Sequence, residues 1–191
     1  MSNTFITSDT HFGHANICTF LNRDGSKLRP WDDVAEMDEA LVANWNAVVG
    51  VYDTVYHLGD VVINRKSLSI MDRLNGKKRL VRGNHDIFKT ADYLKYFDEI
   101  YGVRVLSDMI LSHIPLYRES ITSRFNCNVH GHLHGNTIED GAYLCVSVEQ
   151  TNYRPLSLEE IRTLITDKRN RLHEHNGHID SPNVSIMSCA T

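Results

Sequence analysis

Short apolar runs alternate with longer amphipathic stretches in the first half of this chain, and short runs dominate the second half. Asn3 to Ser8 predicts a buried first strand that ends in a polar cluster. Met37, Leu41, Trp45 and Val48 recur at helical spacing and predict a helix over 34–49, with Asp33 placed to cap its start and Gly50 to end it. Thr54 to Leu58 predicts a second strand, Leu68 to Leu74 a short helix stopped by Asn75-Gly76, and Arg79 to Arg82 a third strand. Tyr93 to Tyr101 fits either period. Met109 to Ser112, Asn128 to His130 and Tyr143 to Val148 predict further strands. Ser157-Leu158-Glu159-Glu160 is a capping box that opens a helix running to about Leu172. The stretch 176–191 has no periodicity and is expected to be a loose or docked tail behind a single domain over 1–175.

Strands that alternate with helices and then follow one another argue for an α/β sandwich. The polar clusters come after the strands: Ser8-Asp9-Thr10-His11, Gly59-Asp60, Gly83-Asn84-His85-Asp86, His113, and His130-Gly131-His132-Leu133-His134. Ligands in such folds collect at the carboxyl ends of strands, so several separate loops are expected to build one site at one rim.

Composition changes this picture little. Of 191 residues, 41% are apolar and 23% charged, an ordinary globular mixture. The formal net charge of −4 does not suit a protein held to long nucleic acid by electrostatics. Cys18, Cys127, Cys145 and Cys189 match no zinc-module spacing and are expected to be reduced thiols in a cytoplasmic protein. The N-terminus has no basic region followed by an apolar run, so no signal peptide is expected, and no stretch approaches the roughly 20 apolar residues of a membrane helix. The distinctive number is eleven histidines, most of which lie in or beside the rim clusters.

The candidate ligands are Asp9, His11, Asp60, Asn84, His113, His132 and His134. Carboxylate, imidazole and amide without thiolate suit manganese, iron, zinc, nickel or cobalt. Seven donors are too many for one tetrahedral ion and fit two ions if a carboxylate bridges them; such ions lie ~3.5–4 Å apart and clamp both oxygens of a phosphoryl transfer. Asp9 and His11 are two residues apart, as are His132 and His134, so each pair is expected to point one way from an extended strand end. Gly59 and Gly83 let backbone approach a crowded centre. The neutral amide of Asn84 limits negative charge and so favours an anionic substrate.

Asp9-x-His11, Gly59-Asp60, Gly83-Asn84-His85-Asp86, His113 and Gly131-His132-x-His134, in that order, resemble the signature of the calcineurin-like metallophosphoesterases. The resemblance implies an α/β fold, a four-layer αββα sandwich of two mixed sheets flanked by helices. It implies two divalent metal ions, manganese favoured, with Asp9, His11 and His134 on the first, Asn84, His113 and His132 on the second, and Asp60 bridging. It implies attack by a metal-bridging hydroxide, with His85 contacting phosphate and protonating the leaving oxygen, and Asp86 orienting His85. The Gly-Asn-His-Asp ending, and the absence of Asp-Arg-Gly after Gly59, depart from the protein Ser/Thr phosphatase pattern. The opening Ser8 to His14, with Trp45-Asn46, resembles small single-domain bacterial and phage members. The expected activity is hydrolysis of small phosphate esters, with a phosphodiester or nucleotide favoured. A phosphomonoesterase ranks next, then a nuclease, then a non-catalytic metal-binding scaffold. The complete ligand set and the presence of His85 count against the scaffold.

Outside these motifs, His14, Arg118 and Arg124 are candidate substrate contacts, and Arg82 is a further candidate for gripping phosphate. His57 and His130, inside strands, are expected to be core histidines. His173, His175 and His178 are expected to form a solvated helix end. Trp31 and Trp45 are expected in the core, and Asp32-Asp33 at a helix cap. Loops 24–31 and 117–126 are expected to carry specificity.

Overall fold

The computed structural model describes residues 2–121 and 124–177. Nine strands occur among them: β1 (Thr4–Thr7), β2 (Thr54–His57), β3 (Lys77–Val81), β4 (Glu99–Tyr101), β5 (Val103–Leu106), β6 (Met109–Ser112), β7 (Cys127–His130), β8 (Tyr143–Cys145) and β9 (Leu156–Ser157). The helices are α1 (Val34–Val48), a single turn α2 (Thr90–Tyr93) and α3 (Leu158–Gly177), with a 3-10 segment at Arg65–Arg73.

The strands form two mixed sheets. The first has the order β4-β3-β2-β1-β9, parallel except for β9. The second has the order β5-β6-β7-β8, parallel except for β5. Alternation of side chains sets the layering. Phe5, Val55 and Leu80 face outward onto Met37, Leu41 and Trp45 of α1. Ile6, Tyr56 and Val81 face inward onto Met109, Leu111 and Val129 of the second sheet. Ile161 and Ile165 of α3 join that inner cluster. The chain is therefore an α/β sandwich of two mixed sheets flanked by helices, as the strand pattern and the resemblance implied. The outer face of the second sheet is covered in part by a small cluster of Ile121, Ala142 and Tyr143 with Phe125 and Ile138.

Local chemistry explains the helix ends. The Asp33 carboxylate accepts from the Ala35 and Glu36 amides, as the sequence predicts. Ser157 Oγ accepts from the Glu160 amide while Glu160 Oε2 accepts from the Ser157 amide, a closed capping box. Other expectations shift. The helix expected over 68–74 is the 3-10 segment Arg65–Arg73, started by Asn64 accepting from the Ser67 amide. The ambiguous stretch 93–101 divides into the end of α2 and strand β4. The strand expected over 143–148 stops at Cys145, because the chain turns into a 3-10 segment at Val148–Gln150.

His57 is a core histidine. Its Nδ1 accepts from the Gly59 amide, which leaves the proton on Nε2 facing Thr10 Oγ1 at 2.9 Å. Its ring stacks on Trp45. His130 is buried with Nδ1 donating to Gly131 O. Trp45 is core, and Trp31 packs edge-on against Tyr153 at the core margin. His173 and His175 are exposed near the end of α3; His178, Cys189 and the tail from 178 onward lie outside the described residues. No helix among the described residues is long and apolar enough to cross a membrane.

Candidate metal centre

The first two ligand turns extend the β1–β2 pairing past the strand ends. The Asp9 amide donates to Gly59 O, the His11 amide to Asp60 O and the Phe12 amide to Val61 O. Within these turns the backbone is left-handed at non-glycine residues: φ is 57° at Asp9, 49° at His11 and 56° at Asp60. The other histidine pair repeats this, with 71° at His132 and 50° at His134. Five of the seven candidate ligands thus hold a backbone that L-residues rarely adopt. The expected extended strand end at Asp9-x-His11 and His132-x-His134 is corrected: left-handed turns aim these side chains.

Close backbone packing allows the turns to converge. Gly59 has φ of +96°, and a Cβ there would meet the Gly83 backbone. A Cβ on Gly131 would overlap Ser8 Oγ and Asp9 Oδ2. Both are positions where glycine is required.

The donors form two groups that meet at one carboxylate. Asp9 Oδ1 lies 4.0 Å from His11 Nε2 and 3.8 Å from His134 Nε2. Asn84 Oδ1 lies 2.8 Å from His113 Nε2 and 3.0 Å from His132 Nδ1. Asp60 Oδ2 stands between the groups, 3.5 Å from His11 Nε2 and 3.4 Å from His113 Nε2. Donor atoms of Asp9, His11 and His134 all lie within 4.8 Å of one another, as do those of Asp9, Asp60 and His113.

Buried atoms without partners show that this donor set suits metal ions. Asp9 Oδ1 and both ring nitrogens of His11 are buried and make no hydrogen bond among the described residues. Leaving such groups unpaired costs about 1–3 kcal/mol each, and a cation between Asp9 Oδ1 and His11 Nε2 would offset that cost for those two atoms. Burial pushes the His11 imidazole down to about 2, so it is neutral and keeps a lone pair. Burial alone would raise the Asp60 carboxyl, but its contact with His113 and the His85 amide pulls it down to about 2, so it is ionised.

Outer contacts aim the donors. Ser147 Oγ and the His132 amide both donate to Asp9 Oδ2, which frees Oδ1 to face His11 and His134. His113 Nδ1 bonds Leu58 O, so the lone pair falls on Nε2. His134 Nδ1 lies 3.1 Å from Glu149 Oε1. Arg29, fully buried, donates to Glu149 Oε1 through Nε, to Thr10 O and to Asp9 O. The sequence reading passed over Arg29, Ser147 and Glu149. Ser147 and Glu149 follow a strand at the same rim, so the rule that found the other clusters reaches them; Arg29 has no such signal.

The remaining candidates divide. His85 is exposed at the mouth, its ring 5.5 Å from that of His11, and its amide donates to Asp60 Oδ1. His14 is half-buried beside the centre, 5.6 Å from the His11 ring. Asp86 differs from its expected role. Its carboxylate is buried and accepts from the amides of Asp60, Val61 and Gly83, and it does not bond the His85 ring. Arg82 likewise turns its guanidinium to Asp86 O, Phe88 O and Thr90 Oγ1, bracing the loop instead of reaching for phosphate. Arg118 and Arg124 are not brought to the centre. They line a separate cleft with Asp108 and Arg169, and Arg118 pairs with Asp140. The physical reason is topological: β6 and β7 are parallel, so their connection must carry these residues back toward the opposite rim.

Two clefts flank the donors. The larger, about 980 Å³, runs past His132 and His134 along Phe20, Arg23 and Lys27. The smaller, about 320 Å³, runs past Asn84 and His113 along Val103 and Ile114.

The centre's residues fall within a match to the calcineurin-like phosphoesterase family model that covers residues 3–183. An uncharacterized protein of Methanocaldococcus jannaschii is 35% identical over 86% of this chain and 92% of its own. The gene 66 protein of Mycobacterium phage D29 is 29% identical over 72% of this chain and 81% of its own. The crystal structure of a protein of unknown function from Aquifex aeolicus superposes with a TM-score of 0.66 at 29% identity, covering 86% of this chain and all of that one. The family match, the two mixed sheets and the clustered candidate donors of this chain together make it a member of the calcineurin-like phosphoesterase family, a metal-dependent hydrolase of phosphate esters.

Proposed function

We propose that the chain hydrolyses small phosphodiesters or nucleotides at a two-metal centre. Asp9, His11 and His134 hold one ion, Asn84, His113 and His132 the other, and Asp60 bridges. The position of Asp60 Oδ2 between His11 Nε2 and His113 Nε2 carries the reading. The ion pair, when bound, supplies an activated water and offsets phosphoryl charge, and manganese is the favoured metal. Asp60 has a second task, since its Oδ1 accepts from the His85 amide and so fixes His85 at the mouth. His85 delivers a proton to the leaving oxygen. His14, beside His11, is a substrate contact.

The clefts favour a diester. Such a substrate carries a substituent on each side of its phosphate, and the centre opens to a cleft on each side. Buried free thiols at Cys18, Cys127 and Cys145 fit a reducing compartment, so we place the enzyme in the cytoplasm. The test compares kcat/KM for bis-p-nitrophenyl phosphate and p-nitrophenyl phosphate with manganese or nickel. A higher value for the diester is expected. A higher value for the monoester makes the chain a phosphomonoesterase, and turnover of neither, nor of a nucleotide panel, removes the enzyme reading.

A further inference from the structure

Among the described residues Arg29 is the second-largest side chain to be almost wholly removed from solvent, and Glu149 is the carboxylate it meets. Burying such a pair is a poor route to stability, because desolvation cancels most of the attraction and an apolar pair of similar volume often serves as well. Glu149 Oε2 is also buried without a hydrogen-bond partner among the described residues, a further cost that packing does not offset.

The contacts show what the pair touches. Arg29 Nε lies 2.8 Å from Glu149 Oε1, and its terminal nitrogens donate to Thr10 O at 2.8 Å and Asp9 O at 2.6 Å. Those two carbonyls belong to the turn in which Asp9 and His11 hold left-handed backbone. The same Glu149 Oε1 faces His134 Nδ1 at 3.1 Å, on the far side of the ring from the Nε2 that faces Asp9. One guanidinium and one carboxylate thus hold the backbone of Asp9 and the ring of His134 together. The group around Asn84 has no such charged brace among the described residues: Asn84 is exposed, His132 Nδ1 meets Asn84 itself, and His113 Nδ1 meets only the Leu58 carbonyl.

We infer that Arg29 and Glu149 are positioning residues that preorganise the Asp9–His11–His134 group for its divalent cation, leaving the Asn84–His113–His132 group to other contacts. This rests on the proposed ligand set. Glu149 fixes the His134 proton on Nδ1 and so directs the Nε2 lone pair to the cation, while Arg29 holds the strained Asp9 turn. Partners of this kind typically govern metal affinity by 10–100-fold.

The test uses the full chain, stripped with chelator and titrated with manganese by calorimetry and electron paramagnetic resonance. Wild type should bind two ions and give the spectrum of a coupled pair. Glu149→Gln, which keeps size, should bind one ion with wild-type affinity and the other about 10–100-fold more weakly, with the spectrum of an isolated ion at matched metal. Arg29→Met should do the same; if it fails to fold, Glu149→Gln decides alone. Two ions bound by Glu149→Gln at wild-type affinity overturn the inference and leave the ligand set standing. Equal weakening of both sites with a fallen Tm also overturns it, since that marks a merely structural pair. Failure of wild type to bind two ions overturns the ligand set, and the inference with it.

Discussion

Gly59 and Gly83 lie backbone against backbone: a Cβ on Gly59 would stand 2.5 Å from Gly83 N and 2.6 Å from its Cα. This contact brings the turn after β2 against the turn after β3, and so places Asp60 beside Asn84 and His85. A Cβ on Gly83 would overlap Asp60 Oδ1 and stand 2.6 Å from Asp60 N. Gly83→Ala is therefore expected to lose about 1–3 kcal/mol of stability by overpacking and to displace the proposed bridge. Urea unfolding and bound-metal analysis check this; wild-type stability with two retained ions would show that the contact is not needed.

Asp86 supplies a second test, because its observed contacts differ from those expected. It accepts three backbone N–H bonds and does not bond the His85 ring. Asp86→Ala leaves those donors buried, at about 1–3 kcal/mol for each one that water does not reach. The expected result is a large fall in Tm, and in residual activity a pH profile of unchanged shape. A profile shifted at unchanged Tm would restore the role of orienting His85.

His57 makes stability depend on pH. Burial holds its imidazole down to about 3, against an unfolded value near 6.5. The unfolded chain therefore binds the proton first, and the contribution of neutral His57 is lost as pH falls from 6.5 toward 3. Between pH 6.5 and 4.5 the loss is about 2–3 kcal/mol. Urea unfolding of chelator-treated protein at these two values measures it. His57→Gln, weaker at neutral pH, should show a flatter dependence; an equal slope in the variant would assign the effect to other groups.

The sequence made some features plain for local reasons. Asp33 and the Ser157–Glu160 box act within three residues of themselves, so their helix starts could be read directly. The rim clusters were visible because polar residues follow β1, β2, β3, β6 and β7 in turn. Strand β5 was hidden, since Val103 and Val105 are half exposed at a sheet edge and give no buried run. Arg29 was hidden for another reason: it follows no strand at the rim, and 120 residues separate it from Glu149, so no spacing rule pairs the two. The left-handed turns were not legible because aspartate and histidine, though they tolerate such backbone better than most residues, occur far more often outside it, so Asp9, His11 and His134 do not single it out. Arg118 and Arg124 misled because nearness to His113 in sequence ignores the return path that parallel strands impose.

His85 gives the most direct test of the whole account. It is exposed, its side chain lies outside the donor groups, and its loss should leave fold and metal intact. The measurement is turnover of bis-p-nitrophenyl phosphate by manganese-loaded wild type and His85→Ala, with bound metal counted in both. The account predicts two ions in each and a kcat lowered about 10²–10⁴-fold in the variant. Undiminished turnover in His85→Ala, or no turnover in a wild type that holds two ions, would contradict it.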